Sequence, residues 1–153
     1  MCIRDRSLGG ETKAIPGLGN FGSRPFAVRM TLSPSAKPSG FCGGLFEAGS
    51  YGTTGFRLTL GNNMKIGVEL FTADGIKNLA TRTVLETGRT YTVELRLDGT
   101  YVTFLIDGQT DTMKELPMPV PYSGPFRIGV AAGKDYFFNG TISSIAVLNL
   151  PSQ

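Results

Sequence analysis

The chain contains no histidine, no tryptophan and only two cysteines, and charged residues make up 18% of its 153 positions. Each shortage excludes something. Without histidine there is no Ser-His-Asp relay and no imidazole to bind a metal. Cys2 and Cys42 give no disulfide framework. Cys2 sits in a charged leader; Cys42, between Phe41 and Gly43 in an apolar run, is expected as a small buried core residue. No stretch approaches the roughly 18 consecutive apolar residues of a membrane span. The net charge of +3 is mild, and Lys and Arg are scattered rather than gathered into the basic stripe of a nucleic-acid binder. Neither a nucleic-acid partner nor a membrane span is therefore expected.

What the chain does have is 21 glycines and 9 prolines, the turn residues of a protein made of short strands. Its length is that of one domain, which buries roughly 70% of the surface its unfolded chain exposes. The first residues, "MCIRDRSLGG", are charged early and lack the apolar segment of a secretory signal. Residues 1–20 read as a non-native or disordered leader on a fragment of a larger protein, and residues 21–153 as the folded domain.

The hydrophobic period is two almost throughout, the signature of half-buried strands. Phe26, Val28, Met30 and Leu32 share one face, opposite Ala27, Arg29, Thr31 and Ser33. "FCGGLFEAG" (41–49) is a short apolar strand whose glycines admit a bulge or a neighbouring backbone. Phe56, Leu58 and Leu60 alternate with Arg57 and Thr59 up to a Gly61-Asn62-Asn63 turn. Met64, Ile66, Val68 and Leu70 return from it, which predicts a hairpin. The one competing helix, residues 76–87, lacks an N-cap and a clear apolar stripe, so it reads as loop and strand. Tyr91, Val93, Leu95 and Leu97 form another apolar face, and Val102, Phe104 and Ile106 the next. Asp98-Gly99 and Asp107-Gly108 between and after them are strong hairpin signals, because both residue types tolerate positive φ. These aspartates are turn residues first. A Pro-rich link (115–125), a strand at Phe126, Ile128 and Val130, a polar loop and a final buried strand complete an all-β, antiparallel sandwich.

The order of segments resembles the laminin-G-like jelly roll of the concanavalin A-like lectin and glucanase superfamily. The resemblance rests on "LETGRTYTVELRLDGTYVTFLIDGQ" (85–109) and "FRIGVAAGKDYFFNGTISSIAVLN" (126–149), including Phe138, Gly140 and Ile142 leading into the closing strand. The tryptophan usual before the strand at 92–97 is replaced here by Tyr91 or Thr90. The cysteine pair common near the end of animal laminin-G domains is absent.

Glucanases of this superfamily carry a Glu-x-Asp-x-x-Glu type motif on one strand, and the chain has none. Its nearest pair, Glu94 and Asp98, is about 13 Å apart along a strand, with Arg96 between them. Glycoside hydrolysis needs carboxyl groups roughly 5–9.5 Å apart, so the pair is expected on a solvated strand face and the protein is not expected to be an enzyme. The resemblance instead implies non-catalytic recognition of a glycan or an extracellular protein partner, at an extracellular, cell-surface or virion-surface location. Two loops carry groups suited to sugars: Lys134, Asp135, Tyr136 and Asn139 in one, Tyr51 in the other. Asn139 also begins an Asn-Gly-Thr sequon. No cofactor is required in this reading. Calcium is an option the resemblance adds, with Asp74 and Asp135 as the loop acids to hold it, although calcium prefers six to eight oxygens and neither has an acidic neighbour. The alternative is a structural or adhesive module of a surface or phage protein with no small ligand.

Overall fold

The computed structural model describes residues 2–7, 11–13, 24–124, 126–131 and 136–151. Lys134 and Asp135 lie outside them. Two sheets pack face to face. One has six strands in the order β1 (Cys2–Ser7), β14 (Gly140–Asn149), β3 (Phe26–Pro34), β8 (Tyr91–Leu97), β9 (Tyr101–Ile106) and β10 (Gln109–Glu115). The other has eight, with the path β12 (Val130–Ala131), β13 (Tyr136–Phe137), β4 (Cys42–Ser50), β5 (Thr54–Gly61), β6 (Ile66–Thr72) and β7 (Gly75–Ala80). Beside that path, β11 (Phe126–Ile128) pairs with both β2 (Glu11–Lys13) and β4. The chain changes sheet after β1, β2, β3, β7, β10 and β13, and no helix occurs among the described residues. Pairing is antiparallel except where Phe137 of β13 runs parallel to Gly44 of β4. This is a jelly-roll sandwich of the concanavalin A-like kind.

The alternation read in the sequence is what fills the space between the sheets. Phe26, Val28, Met30 and Leu32 face Phe56, Leu58 and Leu60 from the opposite layer, all buried. Phe26 and Phe56 link the layers with ring centroids 5.4 Å apart, and within the eight-stranded sheet Phe46 lies 5.7 Å from Phe56 and 5.1 Å from Phe126. Each fully buried ring contributes about 2–3 kcal/mol through apolar area removed from water. Tyr91 is also buried, and its hydroxyl accepts a hydrogen bond from the Glu86 N–H at 2.8 Å.

The turns form as their residues dictate. Asp98 Oδ1 accepts from the N–H groups of Thr100 and Tyr101 at 2.8 and 2.7 Å. Asp107 (φ 51°) and Gly108 (φ 83°) close the β9–β10 hairpin in the left-handed region, the geometry an Asp-Gly turn favours. Residues 76–80 are strand, within β7, and 81–90 are loop. Gly43 is required by close approach, since a Cβ there would lie 2.9 Å from the Phe137 carbonyl oxygen of β13.

Candidate functional site

The outer face of the eight-stranded sheet is assembled by register. Directly opposed residues on neighbouring strands point to the same face, with Cβ atoms about 5 Å apart. Arg127 is opposite Glu47, Glu47 opposite Arg57, Arg57 opposite Glu69, and Glu69 opposite Asn78. Charges thus alternate across four strands. Arg127 Nη1 lies 2.7 Å from Glu47 Oε1, and Arg57 donates to Glu69 Oε1 from Nε at 2.9 Å and from Nη2 at 2.7 Å. A bulge at Leu45 sets this row up. The extra residue shifts the parity of β4, so that Gly44 and Glu47 both face outward while Leu45 and Phe46 enter the core.

The next row toward the start of β4 is different in kind. Phe137 is beside Gly44, Gly44 opposite Thr59, Thr59 opposite Gly67, and Gly67 opposite Ala80. An aromatic side chain is followed by small ones, so the sheet surface dips. The depression has a volume of about 260 Å³, with Thr59 and Gly67 in its lining, Arg57 and Glu69 on one side, and Asn63, Lys65 and Phe41 on the other. Phe41 is 79% exposed. Cys42 also lines it; burial pushes its thiol pKa up, with Arg57 offsetting part of the rise and Glu69 and Glu47 adding to it.

Tyr51 stands at the far end of β4. It is 63% exposed, its ring lies over the Arg57 guanidinium at 4.8 Å, and it meets the buried Phe71 edge-on at 5.3 Å. Tyr136 precedes Phe137 at the other end, with its ring 3.7 Å from where a Cβ on Gly40 would sit. From Gly44 to Tyr51 is about 23 Å of extended chain, so the two tyrosines stand near opposite ends of β4 without meeting. Asn139 donates from Nδ2 to the Lys37 carbonyl at 3.3 Å, and its own carbonyl accepts from the Ser35 N–H at 2.9 Å. Asp74 is exposed in the β6–β7 turn, and no group of three metal-ligating side chains occurs among the described residues.

Glu94 and Asp98, the carboxylates singled out in the sequence, belong to the other sheet. Glu94 is not on a solvated face: it is only 8% exposed, covered by Arg29 and Arg96. Glu47, Arg127, Phe41 and Phe137 escape sequence reading as site residues, because only strand register brings them to one face. The hairpin turn at 61–63 was the available signal for part of it, since it fixes Arg57 opposite Glu69.

A jelly-roll sandwich with an aromatic-flanked, polar-walled depression on one sheet defines a lectin-like architecture. The chain belongs to the concanavalin A-like lectin/glucanases superfamily, a laminin G family profile matching residues 9–151. No curated protein matches it by sequence. Among solved structures it is similar to the CBM40 of Ruminococcus gnavus IT-sialidase, at 15% identity and a TM-score of 0.72, covering 99% of this chain and 94% of that one. It is also similar to a Caenorhabditis elegans galectin, at 9% identity and TM-score 0.61, over 95% of this chain and 94% of that one. A putative carbohydrate-binding protein from Bacteroides ovatus aligns at 19% identity and TM-score 0.68, over 93% of this chain but 42% of that one. At these identities the likeness is one of fold.

Proposed function

We propose that the protein is a non-catalytic carbohydrate-recognition module, acting outside the cell or on a cell or virion surface, with its glycan across the outer face of the eight-stranded sheet. The observation that carries this reading is the dip between Phe41 and the Arg57–Glu69 pair. A sugar ring offers C–H faces to an aromatic and hydroxyls to fixed donors and acceptors, and that combination is what the dip presents. The R. gnavus relative, seen bound to α2,3-sialyllactose in a structure 16% identical to this chain, supports it by analogy of fold. Tyr51 extends the surface at one end. Tyr136 and Asn139, near the other end of β4, and Lys134 and Asp135, which precede them in the chain, are proposed as further sugar contacts.

Catalysis is not part of this reading. The two carboxylates nearest the dip, Glu47 and Glu69, are each engaged by an arginine, with Arg57 standing between them. That is a binding surface, not an acid facing a base across a bond. No cofactor is needed; calcium at Asp74 or Asp135 remains an option that chelation decides. The test is a glycan array of the whole chain, with calcium and then with chelator, repeated with Arg57→Ala. Binding lost in the variant supports the reading. A blank array from folded protein that self-associates would favour the structural or adhesive module.

A further inference from the structure

The six-stranded sheet has its own outer face, on the opposite side of the sandwich. There Arg29 of β3 stands opposite Glu94 of β8, and Arg96 follows two residues along the same strand face. Arg29 places Nε 2.8 Å and Nη2 2.6 Å from Glu94 Oε1, and Arg96 places Nε 3.4 Å from Oε2. One nearly buried carboxylate therefore grips two guanidinium groups by their Nε edges. A guanidinium is a rigid planar fork with five donors, so the other edge of each remains. The arginine side chains are 51% and 45% exposed and carry no other ion pair among the described residues. Two positive charges and one negative leave a surplus of one.

Both arginines line a depression of about 330 Å³, with Thr92 and Leu105 between them and its rim. Arg96 and Leu105 also line a second depression, of about 480 Å³, that continues over Thr103 and the exposed Met113 toward Asp98. The two form one groove with a cationic end and an acidic end.

We propose that this groove is a second ligand site, for an anionic saccharide whose carboxylate or sulfate ester bridges the outer edges of Arg29 and Arg96. Glu94 orders both long side chains during folding, so their entropy is not lost again on binding. The anion sits at the Arg29 end, because Asp98 repels it from the other, and the uncharged remainder runs over Thr103 and Met113. The site stands whether or not the opposite face binds neutral sugars.

The test titrates the whole chain with trigalacturonate, with a sulfated trisaccharide, and with maltotriose as the uncharged control, following arginine Nε–H signals by NMR. The expected result is binding of one or both anions, weakened by salt, with shifts at Arg29 and Arg96. Binding of trigalacturonate alone assigns the site to carboxylates, and of the sulfated sugar alone to sulfate esters. Arg29→Gln and Arg96→Gln each weaken it about tenfold, the loss of one charge-assisted bond pair. Arg96→Lys keeps the charge but not the fork and loses most of the same factor. Lys77→Gln, removing one charge from the edge of the other sheet, leaves affinity unchanged. The proposal is overturned if neither anion binds, if shifts fall on Arg57 instead, or if Arg96→Lys binds as well as the native chain. Should a glutamine variant fail to fold, Arg96→Lys and the native-chain shift map still decide the matter.

Discussion

Arg57 and Glu69 face each other across the β5–β6 hairpin with Nη2 2.7 Å from Oε1, and the ring of Tyr51 covers the same guanidinium at 4.8 Å. The pair is only partly exposed, and Tyr51 holds it from the side. Arg57→Ala is therefore expected to act twice. It removes a donor from the proposed glycan surface, lowering affinity about tenfold. It also leaves Glu69 unpartnered, lowering stability by about 1–2 kcal/mol. Calorimetric titration and urea unfolding of the same variant separate the two effects. Tyr51→Ala loosens the guanidinium without removing it, and a smaller loss in each measurement is expected.

Asp111 is the bulged residue of β10, where the pairing with β9 slips between Thr110 and Thr112. Its carboxylate accepts from the N–H groups of Arg82 and Thr83 at 2.6 and 3.0 Å and from the Thr83 hydroxyl. It thereby ties the loop between the sheets to the edge of one of them. Asp111→Ala is expected to cost about 1–3 kcal/mol in urea unfolding, the price of several charge-assisted bonds lost together. Glycan affinity at the eight-stranded sheet should not change, because Asp111 belongs to the edge strand of the other sheet.

Asp98 has its carboxyl pKa held below the ordinary range, first by the Tyr101 N–H and then by that of Thr100. A depressed pKa means that the folded state favours the ionised form. The associated stability is present above the unfolded pKa and is lost as pH falls through the folded one. Asp98→Asn keeps an acceptor but not the charge. The native chain should exceed this variant in stability at neutral pH, with the gap closing as pH falls below about 4. The group is exposed, so the gap is small and is best followed by NMR titration of the carboxyl alongside unfolding.

Cys42 lines the depression, and burial raises its thiol pKa. Alkylation of Cys42 by iodoacetamide, read by peptide mass spectrometry, should be slow at pH 7.5. It should accelerate only above the usual thiol range near about 8.5. A glycan seated in the depression should slow it further.

The strands were legible because burial imposes a period of two wherever one face meets the core. Phe56, Leu58 and Leu60, then Ile66, Val68 and Leu70, fall inward as the alternation predicts. Met64 is the partial exception: it is buried, yet it sits in the turn with φ 63° rather than on the strand. The Asp-Gly turns were legible because their conformational needs are local. The binding faces were not, because a row such as Arg127, Glu47, Arg57 and Glu69 exists only after distant segments adopt register. Glu94 was misplaced for a related reason. Alternation puts it on the outer face correctly, but only the cross-strand neighbour Arg29 explains why that position is dry.

The most direct test of the central claim is the glycan array run on the native chain and on Arg57→Ala, each shown to be folded by its unfolding transition. The account predicts specific binding by the native chain and its loss, or a drop of about tenfold, in the variant. Equal binding by both would contradict the placement of the glycan on the eight-stranded sheet. A blank array from the folded native chain, with and without calcium, would contradict the lectin-like reading itself.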